Sequence, residues 1–251
     1  MINPPRSWQG TTLVLLLLWL LASGPATASE PIVLTGPAWP PMLYMEEPRK
    51  GLAVEIVIAA FNASDRSVEI RINPWRRVLW LARSQQVDGL VGIWHADARE
   101  EFLLFSQPYY QSHIAAAYHR EKLEEPRSIA DLDGLRVGTR QGGHYGGIFN
   151  GNDRIQRHTA STDLNMLHMV AAGRLDVAVG DRLILQNLID QSPHLSERVR
   201  LSEVDLLVVP IHFASIRANE NATELVDAFN RGLERIRESG ELEAIVQRFR
   251  Q

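Results

Sequence analysis

Two apolar segments of this chain end in charge. Residues 87–92, VDGLVG, lead into Trp94 and then Arg99, whereas residues 175–180, LDVAVG, lead straight into Asp181. A guanidinium and a carboxylate presented at two strand ends suit one task if those ends face each other, which is to hold the carboxylate and the amino group of a small zwitterion. Guanidinium meets carboxylate through two parallel hydrogen bonds, and the pair strengthens once water is excluded. Trp94, on the loop after the first segment, would supply a wall beside the charge. Each residue also has a plainer role open to it: Arg99 in a surface ion pair with Glu55 or a neighbour, Asp181 as the N-cap of a following helix, and Trp94 as core packing.

Other chemistries lack their residues. There are no cysteines, so disulfides, thiolate zinc sites and cysteine nucleophiles are excluded together. The eight histidines (His95, His113, His119, His144, His158, His168, His194 and His212) form no i,i+4 pair and have no acidic cluster at ligand spacing, which leaves no expected metal site. Neither G-x-S-x-G nor G-x-x-x-x-G-K-[ST] occurs. The formal net charge of −4, without any Lys/Arg-rich block, argues against nucleic acid as a partner. No cofactor is implied.

The elements that must position these residues follow an α/β order. PIVLTG (31–36) and SVEIRIN (67–73) have strand character, the latter alternating Val68, Ile70 and Ile72 with charge; GLAVEIVIAAFNAS (51–64) and PWRRVLWLARSQQ (74–86) have helical spacing. Trp80 belongs to the second helix and is expected in the core. The segment 87–92 is the next strand. LRVGTR (135–140), the helix STDLNMLHMVAAG (161–173) and the strand 175–180 repeat that order, and the two closing strands lie 88 residues apart in matching context. Two similar α/β lobes are the economical interpretation. Asn221 with Glu224 has the spacing of a capping box, opening a tail helix whose Leu225, Val226, Phe229, Leu233 and Ile236 need an apolar surface to lie on. That surface is expected on the first lobe, so the chain must cross between lobes twice, near residues 115–120 and 208–213.

The N-terminus has its own pattern. Arg6, the apolar run TLVLLLLWLLA and the A-x-A of Ala26 and Ala28 form the three parts of a secretory signal peptide, with cleavage expected after Ala28. The apolar run is shorter than the roughly 20 residues of a spanning helix. Export without cysteine fits a bacterial periplasm. Loss of Arg6 would leave a mature chain of 223 residues with net charge −5.

DGLVGIWHADAREEFLLFSQPYY resembles, through Arg99, Phe105, Ser106, Pro108 and Tyr109, the signature of the bacterial periplasmic solute-binding proteins of family 3, which serve polar amino-acid ABC transporters. GPAWPPMLY followed by GLAVEIV, VGTRQGG and AGRLDVAVGD support the resemblance over nearly the whole mature chain. It implies an α/β, type II two-lobed periplasmic binding protein fold, each lobe a mainly parallel sheet flanked by helices, with two crossovers at the hinge. The expected division is a signal peptide at 1–28, a first lobe at 29–117, a second lobe at 118–209, and a return to the first lobe with the C-terminal helices at 210–251. Carried over, Arg99 matches the arginine that grips a ligand carboxylate and Asp181 the acid that takes the amino group, while Trp39 and Trp75 fall where aromatic walls stand. Departures point to a different solute: Gly92, Trp94 and Ala96 occupy places that often carry hydroxyls, and Gly143, His144 and Tyr145 follow Gly142 where a Ser or Thr is common. Fewer hydroxyls and more rings favour a solute with an anionic group and a flat or apolar body, and QGGHYGG is open to anion binding through its backbone amides.

The resemblance implies a monomeric, non-enzymatic binding module that closes over a small solute and presents it to a transporter permease. The same scaffold also admits an enzyme such as a dehydratase of a cyclic carboxylate, for which Glu46, Glu47, Glu55, His95 and His144 are candidates by position. A periplasmic sensor or orphan binder is a further alternative.

Overall fold

The computed structural model describes residues 30–46 and 50–249. The expected signal peptide and its cleavage point after Ala28 lie outside the described residues, as does Glu47. In chain order the elements are β1 (Ile32–Gly36), α1 (Leu52–Ala63), β2 (Val68–Ile72), α2 (Trp75–Arg83), β3 (Gly89–Trp94), α3 (Asp97–Glu100), β4 (Leu103–His119), β5 (Arg136–Arg140) and α4 (Gly147–Asn150). There follow β6 (Gln156–Ala160), α5 (Asp163–Ala171), β7 (Val177–Asp181), α6 (Arg182–Asp190), α7 (Pro193–Arg198), β8 (Val199–Leu201), β9 (Leu207–Ile216), α8 (Ala222–Glu238) and α9 (Glu241–Phe249).

The strands form one path, β2-β1-β3-β9-β4-β7-β5-β6, with β8 added beside β4. In the first half β1 lies parallel between β2 and β3; in the second β5 lies parallel between β6 and β7. The long strands β4 and β9 pair antiparallel to each other over residues 103–114 and 207–216, and serve both halves. β4 then continues along β7 and β8, while β9 runs along β3. This is the two-lobed α/β arrangement expected from the alternating strands and helices.

The two halves repeat one another in atomic detail. Asp88, just before β3, accepts from the amide of Val33 in β1 at 2.8 Å and donates its own amide to Val33 O. Asp176, just before β7, does the same with Arg136 in β5, again with 2.8 Å to the carboxylate. In each half a carboxylate pins the entry of a closing strand to its parallel neighbour, which fixes the register that decides where that strand ends.

The family-signature residues hold β3 from the other side. The pairing of β3 with β9 shifts register between Leu90 and Ile93, and the buried Tyr109 hydroxyl of β4 donates to Val91 O at 2.9 Å within that shift. A buried carbonyl in an irregular ladder needs such a partner. Gly92 leaves room for this hydroxyl, since a Cβ there would stand 2.9 Å from it.

The tail packs where its apolar stripe directs it. Leu225, Val226, Phe229, Leu233 and Ile236 are buried, Gly232 lies directly against Ala60 O of α1, and Phe229 joins Phe61 and Phe213 in one aromatic cluster. Two expectations are corrected here. Asn221 makes no side-chain cap; Glu224 is drawn away to an ion pair with Arg66 at 2.6 Å. Trp80 is 47% exposed instead of core, because Val78, Leu81 and Ala82 fill the buried face of α2 and the indole lies outside under the Arg77 guanidinium, 4.2 Å from its centroid.

Candidate functional site

The end of β3 and the end of β5 meet across a cleft. Trp94 is the last residue of β3; the chain turns through Ala96 into the single turn of α3, which carries Arg99. The turn brings the guanidinium back over the strand end, where Nη1 donates to Trp94 O and Nη2 crosses to Gly142 O beyond β5, both at 2.6 Å. Gly142 has φ +79°, and a Cβ there would stand 2.0 Å from the Trp75 indole nitrogen. Glycine is therefore needed for the backbone of one half to reach the side chains of the other.

Aromatic rings floor this junction. Trp39 and Trp94 meet edge to face with centroids 5.4 Å apart, Trp94 rests on Tyr145 at 5.0 Å, and Tyr145 on Phe149 at 5.3 Å, so one row of rings runs from the first half into the second. Trp75 lies beside the Arg99 guanidinium, 5.4 Å from its centre. Between these groups is a cavity of about 60 Å3, lined by Trp39, Trp75, Trp94, Arg99, Arg140 and the turn Gln141–Gly143 among others. A cavity of roughly 150 Å3 is what admits benzene. A solute with one ring therefore needs the halves further apart than they stand here.

The electrostatics of the wall are one-sided. A guanidinium carries five donors, yet Arg99 makes two hydrogen bonds, both to neutral carbonyls, and no carboxylate of the described residues pairs with it. Glu55, the ion-pair partner considered for it, is instead bound to Arg248. Burial pushes the pKa of Arg99 below its ordinary value. The indole nitrogens of Trp39 and Trp94 are buried without any hydrogen-bond partner.

Arg140 is the wall residue that sequence reasoning missed. It ends β5, bonds the buried Asp163 at 2.5 Å, donates to Ala38 O of the first half at 2.9 Å, and lies 5.5 Å from the Trp39 ring centre. A signal existed: an arginine closing β5, whose counterpart in the other half, β1, leads to Trp39. Asp163 was legible as part of a helix start, though the cap itself is Thr162, whose side chain accepts from Asn165 N.

The structure thus brings Arg99, Trp39, Trp75, Trp94 and Gly143 to one cavity. It does not bring Asp181 there. That carboxylate is 2% exposed: Oδ1 accepts from the Leu183 and Ile184 amides as the N-cap of α6, and Oδ2 accepts from the Ser112 hydroxyl at 2.5 Å. Burial, opposed by these hydrogen bonds, pushes its pKa up to about 6. Tyr145 is buried beneath the cavity as support for Trp94, its hydroxyl accepting from Arg140 N at 3.1 Å. His144 stands behind the wall, bonded to Asn150 at 2.7 Å, with its pKa lowered by burial and then by Arg99. Part of the expected amide nest is occupied, since Gly143 N donates to Arg140 O and Tyr145 N to the Asn150 side chain. What Gly142 offers the cleft is a carbonyl.

Residues 32–251 match the model of the bacterial extracellular solute-binding proteins, family 3. The chain belongs to this family. Among curated relatives, the arginine-binding periplasmic protein of Mannheimia haemolytica is 24% identical over 242 residues, covering 93% of this chain and 97% of that one. A probable histidine-binding protein of Neisseria gonorrhoeae is 22% identical over 211 residues, 80% and 74% of the two chains. A solved histidine kinase sensor domain with similarity to periplasmic binding proteins superposes with a TM-score of 0.75 at 23% identity, over 88% of this chain and 96% of that one. The curated relatives of this family 3 protein are named as binding proteins. Of the motif residues shared with the family, Tyr109 acts here as scaffold, its hydroxyl fitting beside Gly92 and aligning the strand that displays Trp94 and Arg99.

Proposed function

We propose that the mature chain is a periplasmic solute-binding protein that closes its halves over a small carboxylate-bearing solute, with Arg99 holding the carboxylate and Trp39, Trp75 and Trp94 enclosing its body. The observation that carries this reading is the Arg99 guanidinium, half-buried between the halves with neutral partners and donors to spare. A partly desolvated cation without a counter-ion is costly, and an entering carboxylate offsets that cost. Parting the halves breaks Arg99 to Gly142 and Arg140 to Ala38; closure on a solute exchanges the first for a charged pair.

The hinge in this reading lies where β4 and β9 pass between halves, at 117–118 and 209–210, and the closed form of a monomer is what an ABC transporter permease recognises. The family's description as extracellular supports export. The test is a thermal-shift screen of the mature protein against amino acids, aromatic acids and small peptides. A true ligand at about 100 times its Kd adds about 2.7 kcal/mol of stability, and Arg99→Ala must remove the shift. A carboxylate that stabilises the variant as well as the wild type contradicts the assignment.

A further inference from the structure

We infer that the solute of this cleft is a flat organic monoanion with neutral hydrogen-bond acceptors and no ammonium group, which is to say not a free α-amino acid. The inference rests on the carboxylate-binding reading above and sharpens its substrate class. It follows from what the wall offers. Arg99 has unused N–H groups, and the indoles of Trp39 and Trp94, both more than nine-tenths buried, have N–H groups with no partner. Every unspent polar group named here is a donor.

An ammonium would find no counter-charge here. No carboxylate lines the cavity. The nearby Asp163 is bound by Arg140, and Asp181 is held by Ser112 and two helix amides. What the wall keeps for an ammonium are neutral acceptors, the Gln141 side chain and backbone carbonyls, set beside two guanidinium groups. An ammonium drawn into this cavity would lose its water and meet arginines. A cation desolvated without a counter-charge is costly, so the site rejects it. Asp163 balances Arg140, which leaves the single charge of Arg99 for the solute to neutralise; the two indole donors then call for neutral acceptors such as a carbonyl or ring heteroatom.

Matched pairs test this: phenylalanine against 3-phenylpropanoate, histidine against 3-imidazolylpropanoate, and tyrosine against 3-(4-hydroxyphenyl)propanoate, each titrated calorimetrically into the mature wild-type protein and into Arg99→Ala. The expected result is that the des-amino member of at least one pair binds at least about tenfold more tightly than its amino acid, loses that binding in Arg99→Ala, and shifts the indole N–H resonances of Trp39 and Trp94. An Arg99-dependent amino acid that binds within tenfold of its des-amino partner, or binding that leaves both indole resonances unmoved, overturns the inference while the carboxylate reading stands. Binding indifferent to Arg99, or no binding by either member of any pair, overturns that reading and this inference with it. The pairwise comparison and the resonances need only the wild type, so a variant that fails to fold does not leave the question open.

Discussion

The two closing strands, β3 and β7, begin alike and end differently. Each starts beside a carboxylate that ties it to its parallel neighbour, Asp88 to Val33 and Asp176 to Arg136, with equal 2.8 Å bonds. At the other end β3 releases the chain into a loop that brings a guanidinium to a cavity between the halves, whereas β7 passes directly into α6 and spends its terminal Asp181 on that helix. The spacing decides this. Arg99 comes five residues after the strand and has a turn in which to double back; Asp181 is the last strand residue, and a carboxylate there falls naturally on the first amides of a helix. Repetition in a sequence therefore marks equivalent frames, while the few residues after each frame decide what faces the ligand.

The comparison can be broken most forcefully at the contact between halves. Gly142→Ala places a methyl where the backbone is left-handed and Trp75 is already in contact, so it should prevent closure and weaken any cleft ligand by about a hundredfold. Small-angle scattering should show a more open particle. An unchanged Kd would remove the closed cleft from the mechanism.

The second handle is pH, and it acts on β7. Burial sets the Asp181 pKa at about 6, above its ordinary 3.8. Between those values the folded state keeps a proton that the unfolded chain has released, so this residue's contribution to stability is full below the lower value and falls as pH rises through the upper one. Two pKa units correspond to about 3 kcal/mol. Urea unfolding of wild type and Asp181→Asn at about pH 4 and pH 7 should show the difference moving by about that amount in the variant's favour. Parallel curves would mean that the carboxylate is not desolvated as described.

Smaller effects test the likeness. Asp88→Ala and Asp176→Ala should each cost about 2 kcal/mol, since each strands a strand-entry amide and a side-chain donor, Asn219 in one case and Arg136 in the other. Chemical denaturation should rank them equal within about 1 kcal/mol, with affinity nearly intact. Tyr109→Phe should cost about 1 kcal/mol by leaving Val91 O without its donor. Its consequence for binding should be slight, through the placement of β3 alone.

Much of this fold is legible in the sequence because period-two and helical spacing report burial directly: β2, α1, α2, α5 and the tail helices fall where their apolar residues place them. The long strands β4 and β9 are harder to see. Their residues pass from one half's core to the other's, so no single alternation runs through LLFSQPYYQSHIAAAYH. The site divides along the same line. Arg99 and the tryptophans stand out because guanidinium and indole are conspicuous on a loop between apolar segments. The role of Asp181 could not be separated from helix capping, since both need a carboxylate at the same place, and Arg140 was hidden inside a segment that read simply as strand.

The measurement that tests the central claim most directly is the affinity of the tightest-binding carboxylate for three proteins: wild type, Arg99→Ala and Asp181→Asn. With the solute's charge met by the first half alone, Arg99→Ala should weaken binding by about a hundredfold, near 3 kcal/mol, and Asp181→Asn should leave it within about threefold. A loss in Asp181→Asn as large as that in Arg99→Ala would mean that the second carboxylate reaches the solute after all, and that the asymmetry drawn here between β3 and β7 is wrong.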